Sequence, residues 1–219
     1  ATATMNAGVW KLPEGEAYYA WALKAGTTTT MSPEEVHQLG LEQLAALQSD
    51  MDGLLKGRGM TQGTVGERMT AMGKDPRYLF PNDDTGRAQI LAYIDGRLTD
   101  IRTRLPRAFA TLVPAKLVVK RVPVEIEAGA PGAYAGAGSI DGTTPGNYYI
   151  NLRDTSIWPR YGLPTLTYHE GIPGHIWQGE NTYKLPLLRS LLAFNAYSEG
   201  WALYAEQLGD ELGAYDGDV

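Results

Sequence analysis

The sequence predicts a mainly α protein with a small β-sheet, an α+β arrangement, on three observations. Two long stretches, 36–55 and 90–105, carry apolar residues at helical spacing. A middle stretch, 116–152, is rich in Val, Ile and Gly and reads as strands and turns. The last third, 164–212, is made largely of good helix formers. The chain is therefore divided into a mostly helical part, 1–113, a small sheet, 114–152, and a closing set of helices, 153–219. No linker is clean enough to cut it into two domains, and no internal repeat is visible.

Each element has its local cause. The first thirty residues read as a turn and a short helix leading into a loop, and 1–6 resembles a cleavage remnant. Ser32-Pro33-Glu34-Glu35 starts a helix: Ser32 caps, Pro33 suits the first position and Glu35 closes a capping box. The apolar set from Val36 to Leu55 carries this amphipathic helix to Gly57. A short helix is expected from Val65 to Met72, closed by Gly73. Thr85 or Asp84 caps the next, whose face of Ile90, Leu91, Ile94, Leu98, Ile101 and Leu105 runs until Pro106. A sheet of two to four strands follows over Lys116–Ala128 and Asn147–Leu152. Pro164 opens a helix carrying Tyr168 to Gln178, and Leu191 to Leu212 forms another.

Composition bounds the chemistry. At 219 residues, 43% hydrophobic and 20% charged, the chain is an ordinary globular sequence with enough length for a sizeable core. No apolar run approaches the roughly 20 residues that cross a bilayer. A net charge of −6 argues against a nucleic-acid partner. There is no cysteine, so any metal must be held by His and carboxylate, and only His37, His169 and His175 are available.

His169-Glu170 followed by His175, with Glu199 further on, resembles the zincin pattern of two histidines, a glutamate and a downstream ligand. Two imidazoles and a carboxylate hold zinc and leave one position for water, from which an adjacent Glu can take a proton. That assigns His169, His175 and Glu199 to the metal and Glu170 to general-base work. The spacing departs from the usual four residues. Six residues turn a helix by about 600°, which leaves the two rings about 120° apart. Gly171-Ile172-Pro173-Gly174 lies between them, and a two-residue bulge is expected to wind both rings onto one side. Glu199 sits in an apolar helical run and wants a partner there, and Glu206, two turns on, is placed to hydrogen-bond a ligand imidazole.

Three tyrosines and the remaining histidine are further substrate-binding candidates. Tyr148 and Tyr149 should alternate across a strand, one buried and one facing the cleft. Tyr134, in a glycine-rich segment, can donate to a developing oxyanion, and His37 is a candidate for substrate contact beside a structural role. The glycine-rich stretch lacks the Lys-Ser or Lys-Thr of a phosphate loop.

Tyr168-His169-Glu170-Gly171-Ile172-Pro173-Gly174-His175 and Tyr197-Ser198-Glu199-Gly200-Trp201-Ala202-Leu203-Tyr204-Ala205-Glu206 together resemble the bacterial family called domain of unknown function 885. Gly8–Pro13, Glu35–Gly40 and Pro145–Leu152 match it as well. The resemblance implies a zincin-like metallopeptidase of mostly helical build with Zn2+ as cofactor and a peptide as substrate. Many relatives carry a second histidine directly after the one matching His175, where this chain has Ile176, so the ligand here must be His175. Relatives are also longer, so the chain is expected to be a catalytic fragment without their N- and C-terminal segments. Two other readings are open: a metal-dependent amidase acting on a small non-peptide substrate, and a non-catalytic helical binding module whose metal site is structural or vacant. Composition leaves the compartment open, with a periplasmic or secreted location possible and a cytoplasmic one not excluded.

Overall fold

Helix-forming sequence dominates the chain, and the computed structural model describes residues 5, 8–192 and 194–216. Apart from Met5, the 1–6 segment lies outside the described residues, as does Ala193 within the helix expected over 191–212. The described helices are α1 (Gly15–Thr27), α2 (Pro33–Gly57), α3 (Val65–Gly73), α4 (Asp84–Arg104), α5 (Leu163–Glu170), α6 (His175–Thr182), α7 (Leu187–Leu191) and α8 (Asn195–Glu211). Three strands, β1 (Leu117–Arg121), β2 (Ala133–Gly136) and β3 (Gly146–Ile150), complete a mainly α structure with a small sheet.

The chain forms two compact units, 1–69 with 194–197, and 70–193 with 198–219. In the first, the Ser32 hydroxyl accepts from the Glu35 amide and the Glu35 carboxylate accepts from the Ser32 amide, so the capping box starts α2 at Pro33. Arg68, almost fully buried, donates to the Met60 carbonyl at 2.9 Å and pairs with Asp52, closing the loop after α2. Leu55 is buried, whereas Leu39, Leu41, Leu44, Leu47 and Leu54 are all exposed.

The second unit holds the hydrophobic core and the candidate site. α4 is capped by Asp83, whose carboxylate accepts from the Gly86 amide at 2.8 Å; Asp84 and Thr85 lie inside the helix. Its face of Ile90, Ile94, Leu98 and Ile101 is buried, with Leu105 just beyond it in a short 3-10 turn containing Pro106. The strand order is β1-β3-β2, with β1 parallel and β2 antiparallel to β3. The pleat sends Tyr148 and Ile150 of β3 into the core, while Asn147 and Tyr149 point to the other face. On that face Tyr134 and Tyr149, paired across the strands, stack at 5.0 Å, and the Lys120 ammonium lies 5.9 Å from the Tyr149 ring.

The helix expected over Pro164–Gln178 is two helices, α5 and α6, separated by the four residues 171–174. A side chain at Gly174 would place its Cβ 1.8 Å from the His169 carbonyl oxygen, so only glycine lets α6 begin this close to the end of α5. The helix expected over 191–212 is likewise broken, into α7 and α8. α8 docks through small residues: Ala202 and Ala205 are buried, and a Cβ at Gly209 would meet the Tyr168 ring at 2.8 Å. The Trp201 indole donates to the Pro173 carbonyl at 2.8 Å, tying α8 to the break itself.

Candidate metal centre

Three elements of the second unit each deliver one ligand. His169 stands in the last turn of α5, His175 is the first residue of α6, and Glu199 lies on α8. The Glu199 Oε2 atom is 3.5 Å from His169 Nε2 and 3.6 Å from His175 Nε2. All three candidate ligand atoms fall within 4.8 Å of one another. The two imidazoles meet edge to face, with centroids 4.9 Å apart and planes at 90°. The break at 171–174 thus brings together rings that an unbroken helix would hold about 120° apart.

Tetrahedral zinc with bonds of about 2.0–2.2 Å separates its ligand atoms by about 3.4 Å. The two nitrogen–carboxylate spacings match that, and no cysteine is needed. Both histidines present Nε2 because their other nitrogens face α8. His169 Nδ1 lies 2.8 Å from Glu206 Oε1, and His175 Nδ1 lies 3.5 Å from the Ser198 hydroxyl. A Glu206 carboxylate accepting from Nδ1–H fixes the tautomer that leaves the His169 Nε2 lone pair free. Sequence reasoning missed Ser198; its place immediately before Glu199 on α8 was the available signal.

Glu170, next to the ligand His169, is buried. Burial is the main cause that raises its pKa; Glu199 pushes the same way and His169 opposes. Burial likewise lowers the pKa of His175, with Glu199 opposing and His169 adding to the effect. Both shifts favour neutral groups in a partly desolvated pocket. Glu199, by contrast, has a side chain 51% exposed, so the expectation of a carboxylate buried among apolar neighbours is corrected. Tyr197 and Leu203 on the same helix are exposed too.

The other sequence candidates fall elsewhere. Tyr148 is fully buried, which corrects its assignment to substrate contact: it is the inward member of the strand alternation. Burial, followed by the nearby Glu170 carboxylate, raises the pKa of its hydroxyl, against an interaction with the Thr167 hydroxyl that lowers it. Tyr149 and Tyr134 are partly exposed on the opposite face of the sheet, against each other. His37 is exposed on α2, in the first unit, whereas the three candidate ligands belong to the second.

Comparison with known proteins agrees with this architecture. A solved structure described as a putative lipoprotein from Colwellia psychrerythraea shares 42% identity and superposes with a TM-score of 0.92, covering 96% of this chain and 37% of the other. A second, described as a putative lipoprotein of unknown function from Shewanella oneidensis, is 20% identical with a TM-score of 0.67, covering 90% of this chain and 38% of the other, and shows a shared fold. The chain thus spans well under half the length of either neighbour. No curated protein matches it. The model of the family described as bacterial protein of unknown function (DUF885) matches residues 1–219, and the chain belongs to that family.

Proposed function

We propose that this chain carries the catalytic portion of a zinc-dependent peptidase, with His169, His175 and Glu199 holding the metal and Glu170 acting as general base. The observation that carries this reading is the convergence of two Nε2 atoms and one carboxylate oxygen from three separate elements, at spacings that suit a single ion. The Glu199 side chain is half exposed, so the group these three residues form is reachable from solvent.

Bound zinc would supply Lewis-acid polarisation of a carbonyl and a water whose pKa falls to about 7. The remaining steps belong to side chains. Glu170 takes the proton of the attacking water and delivers it to the leaving amine. Its burial holds the carboxylate in a water-poor setting where proton affinity is raised. Glu206 keeps His169 in the ligating tautomer. β2 is an edge strand, and both α5 and α6 pack against it, so an extended peptide pairing with that edge would run alongside the two histidines.

Metal analysis of the purified chain tests the first half, with about one zinc per chain expected. Glu170→Gln tests the second: it should keep the metal and lower the rate of peptide hydrolysis by about 10²–10⁴-fold. Hydrolysis at the wild-type rate by that variant would remove Glu170 from the mechanism. No described helix is long and apolar enough to cross a membrane. The description of the two structural neighbours as lipoproteins favours a periplasmic or secreted setting, which cell fractionation of the parent protein would test.

A further inference from the structure

A cavity lies in the second unit, at the C-terminal end of α6. Its volume is about 200 Å³, and Lys116, Ser139, Thr144, Glu180, Tyr183 and Lys184 contribute its polar lining. Three chain segments build it: the residue before β1, the loop that continues β2, and the C-terminal end of α6. Among the described residues, neither the Lys116 nor the Lys184 ammonium takes part in an ion pair or side-chain hydrogen bond. Glu180 is the only carboxylate in the lining, and it already faces Arg102, whose guanidinium donates to the carbonyls of Pro114 and Ala115 beside the cavity. The local balance is therefore positive in a chain whose net charge is −6. Two uncommitted ammonium groups over a small cavity call for an anionic group.

We infer that this cavity is a recognition subsite for the carboxylate of a short peptide or amino acid, held between Lys116 and Lys184. Size and position select this ligand. About 200 Å³ is smaller than the roughly 300–1,000 Å³ of drug-sized pockets and has room for about one terminal residue. α6 begins at His175 and reaches Glu180 five residues later, about 8 Å along its axis. An extended chain advances about 3.3 Å per residue, so a peptide lying over the histidines would place its end here two to four residues away. β2 leads in the same direction: Gly138, Ser139 and Ile140, which follow it, form one wall of the cavity. The existence of the subsite does not require the metal reading; the peptide as its source does rest on the proposed peptidase activity.

The test is binding of alanyl-alanine, its C-terminal amide and inorganic phosphate to the purified chain, followed by chemical shifts of backbone amides at 138–144 and 180–184. EDTA is present throughout, so a failure of the zinc site leaves this readout unchanged. Alanyl-alanine should bind, and the amide should bind at least about 10-fold more weakly, as should alanyl-alanine to Lys116→Gln and to Lys184→Gln. Both lysines are exposed, so the variants keep the fold, which their unperturbed amides elsewhere would show. Equal binding of dipeptide and amide, unchanged binding by both variants, or no binding at all would overturn the proposal. Phosphate binding as tightly as the dipeptide would overturn the peptide as its source and mark a general anion site.

Discussion

A single hydrogen bond decides how His169 works. Its Nδ1 lies 2.8 Å from Glu206, whereas His175 faces only the Ser198 hydroxyl at 3.5 Å, so the two ligand rings are held unequally. A carboxylate partner raises the basicity of the ligating nitrogen, and losing such a partner costs about 10–100-fold in metal affinity. Glu206→Ala should therefore weaken zinc binding by that factor. Glu206→Gln should be milder, because the amide oxygen still accepts from Nδ1–H. Chelator competition reads both, and unchanged affinity in the alanine variant would show that His169 needs no such support. Sequence pattern makes Glu206 legible because it lies seven residues, two turns, beyond Glu199 on one face of a helix. It does not reach Tyr148 equally well: alternation shows that Tyr148 and Tyr149 face opposite ways, but only the packed core shows which one is inside.

At the scale of elements, the site depends on where helices stop. Ser32 and Glu35 make the start of α2 legible because a capping box is a local device, closed within four residues. Sequence pattern places the cap of α4 one or two residues too late because Asp83, Asp84 and Thr85 are all competent caps, and packing selects among them. The break between α5 and α6 was legible as an interruption from its Gly and Pro residues, but its extent was not, since the close approach of Gly174 to the His169 carbonyl is a tertiary fact. β2 was harder still, a strand of Ala, Tyr and Gly that takes its conformation from pairing with β3. Two glycines separate these effects. Gly174→Ala would force a Cβ against the His169 and Tyr168 carbonyls and should destabilise the unit by about 2 kcal/mol or more while loosening zinc binding. Gly200→Ala, on α8 with open space around the new methyl, should stabilise by about 0.5–1 kcal/mol. Urea denaturation with and without zinc reads both, and equal effects at the two positions would refute the steric argument.

At the scale of the whole molecule, the ligands can converge only if the sheet and the helices packed on it keep their shape. One partly buried ion pair joins the sheet to the chain that follows it. Arg121 at the end of β1 grips Glu127 through two contacts of 2.7 and 2.9 Å, and the same carboxylate accepts from the Leu152 amide just past β3. Asn151 in turn donates to the Glu127 carbonyl at 2.7 Å. Glu127 is almost fully buried, and its pKa is lowered, chiefly by the hydrogen bonds from Arg121 against an opposing cost of burial. A folded pKa below the unfolded one, near 4.3, means that the unfolded chain takes up the proton first. The stabilisation is then fully present above the unfolded pKa and is lost as pH falls through the folded one. Asp141, lowered to about 2, shifts further but sits in an exposed turn where solvent screens its contribution. Glu127→Gln should therefore cost stability at pH 7, with the gap from wild type narrowing as the solution is acidified below the unfolded pKa. Urea midpoints measured across that range test this directly, and a gap that stays constant with pH would show that the pair acts through shape and not through charge.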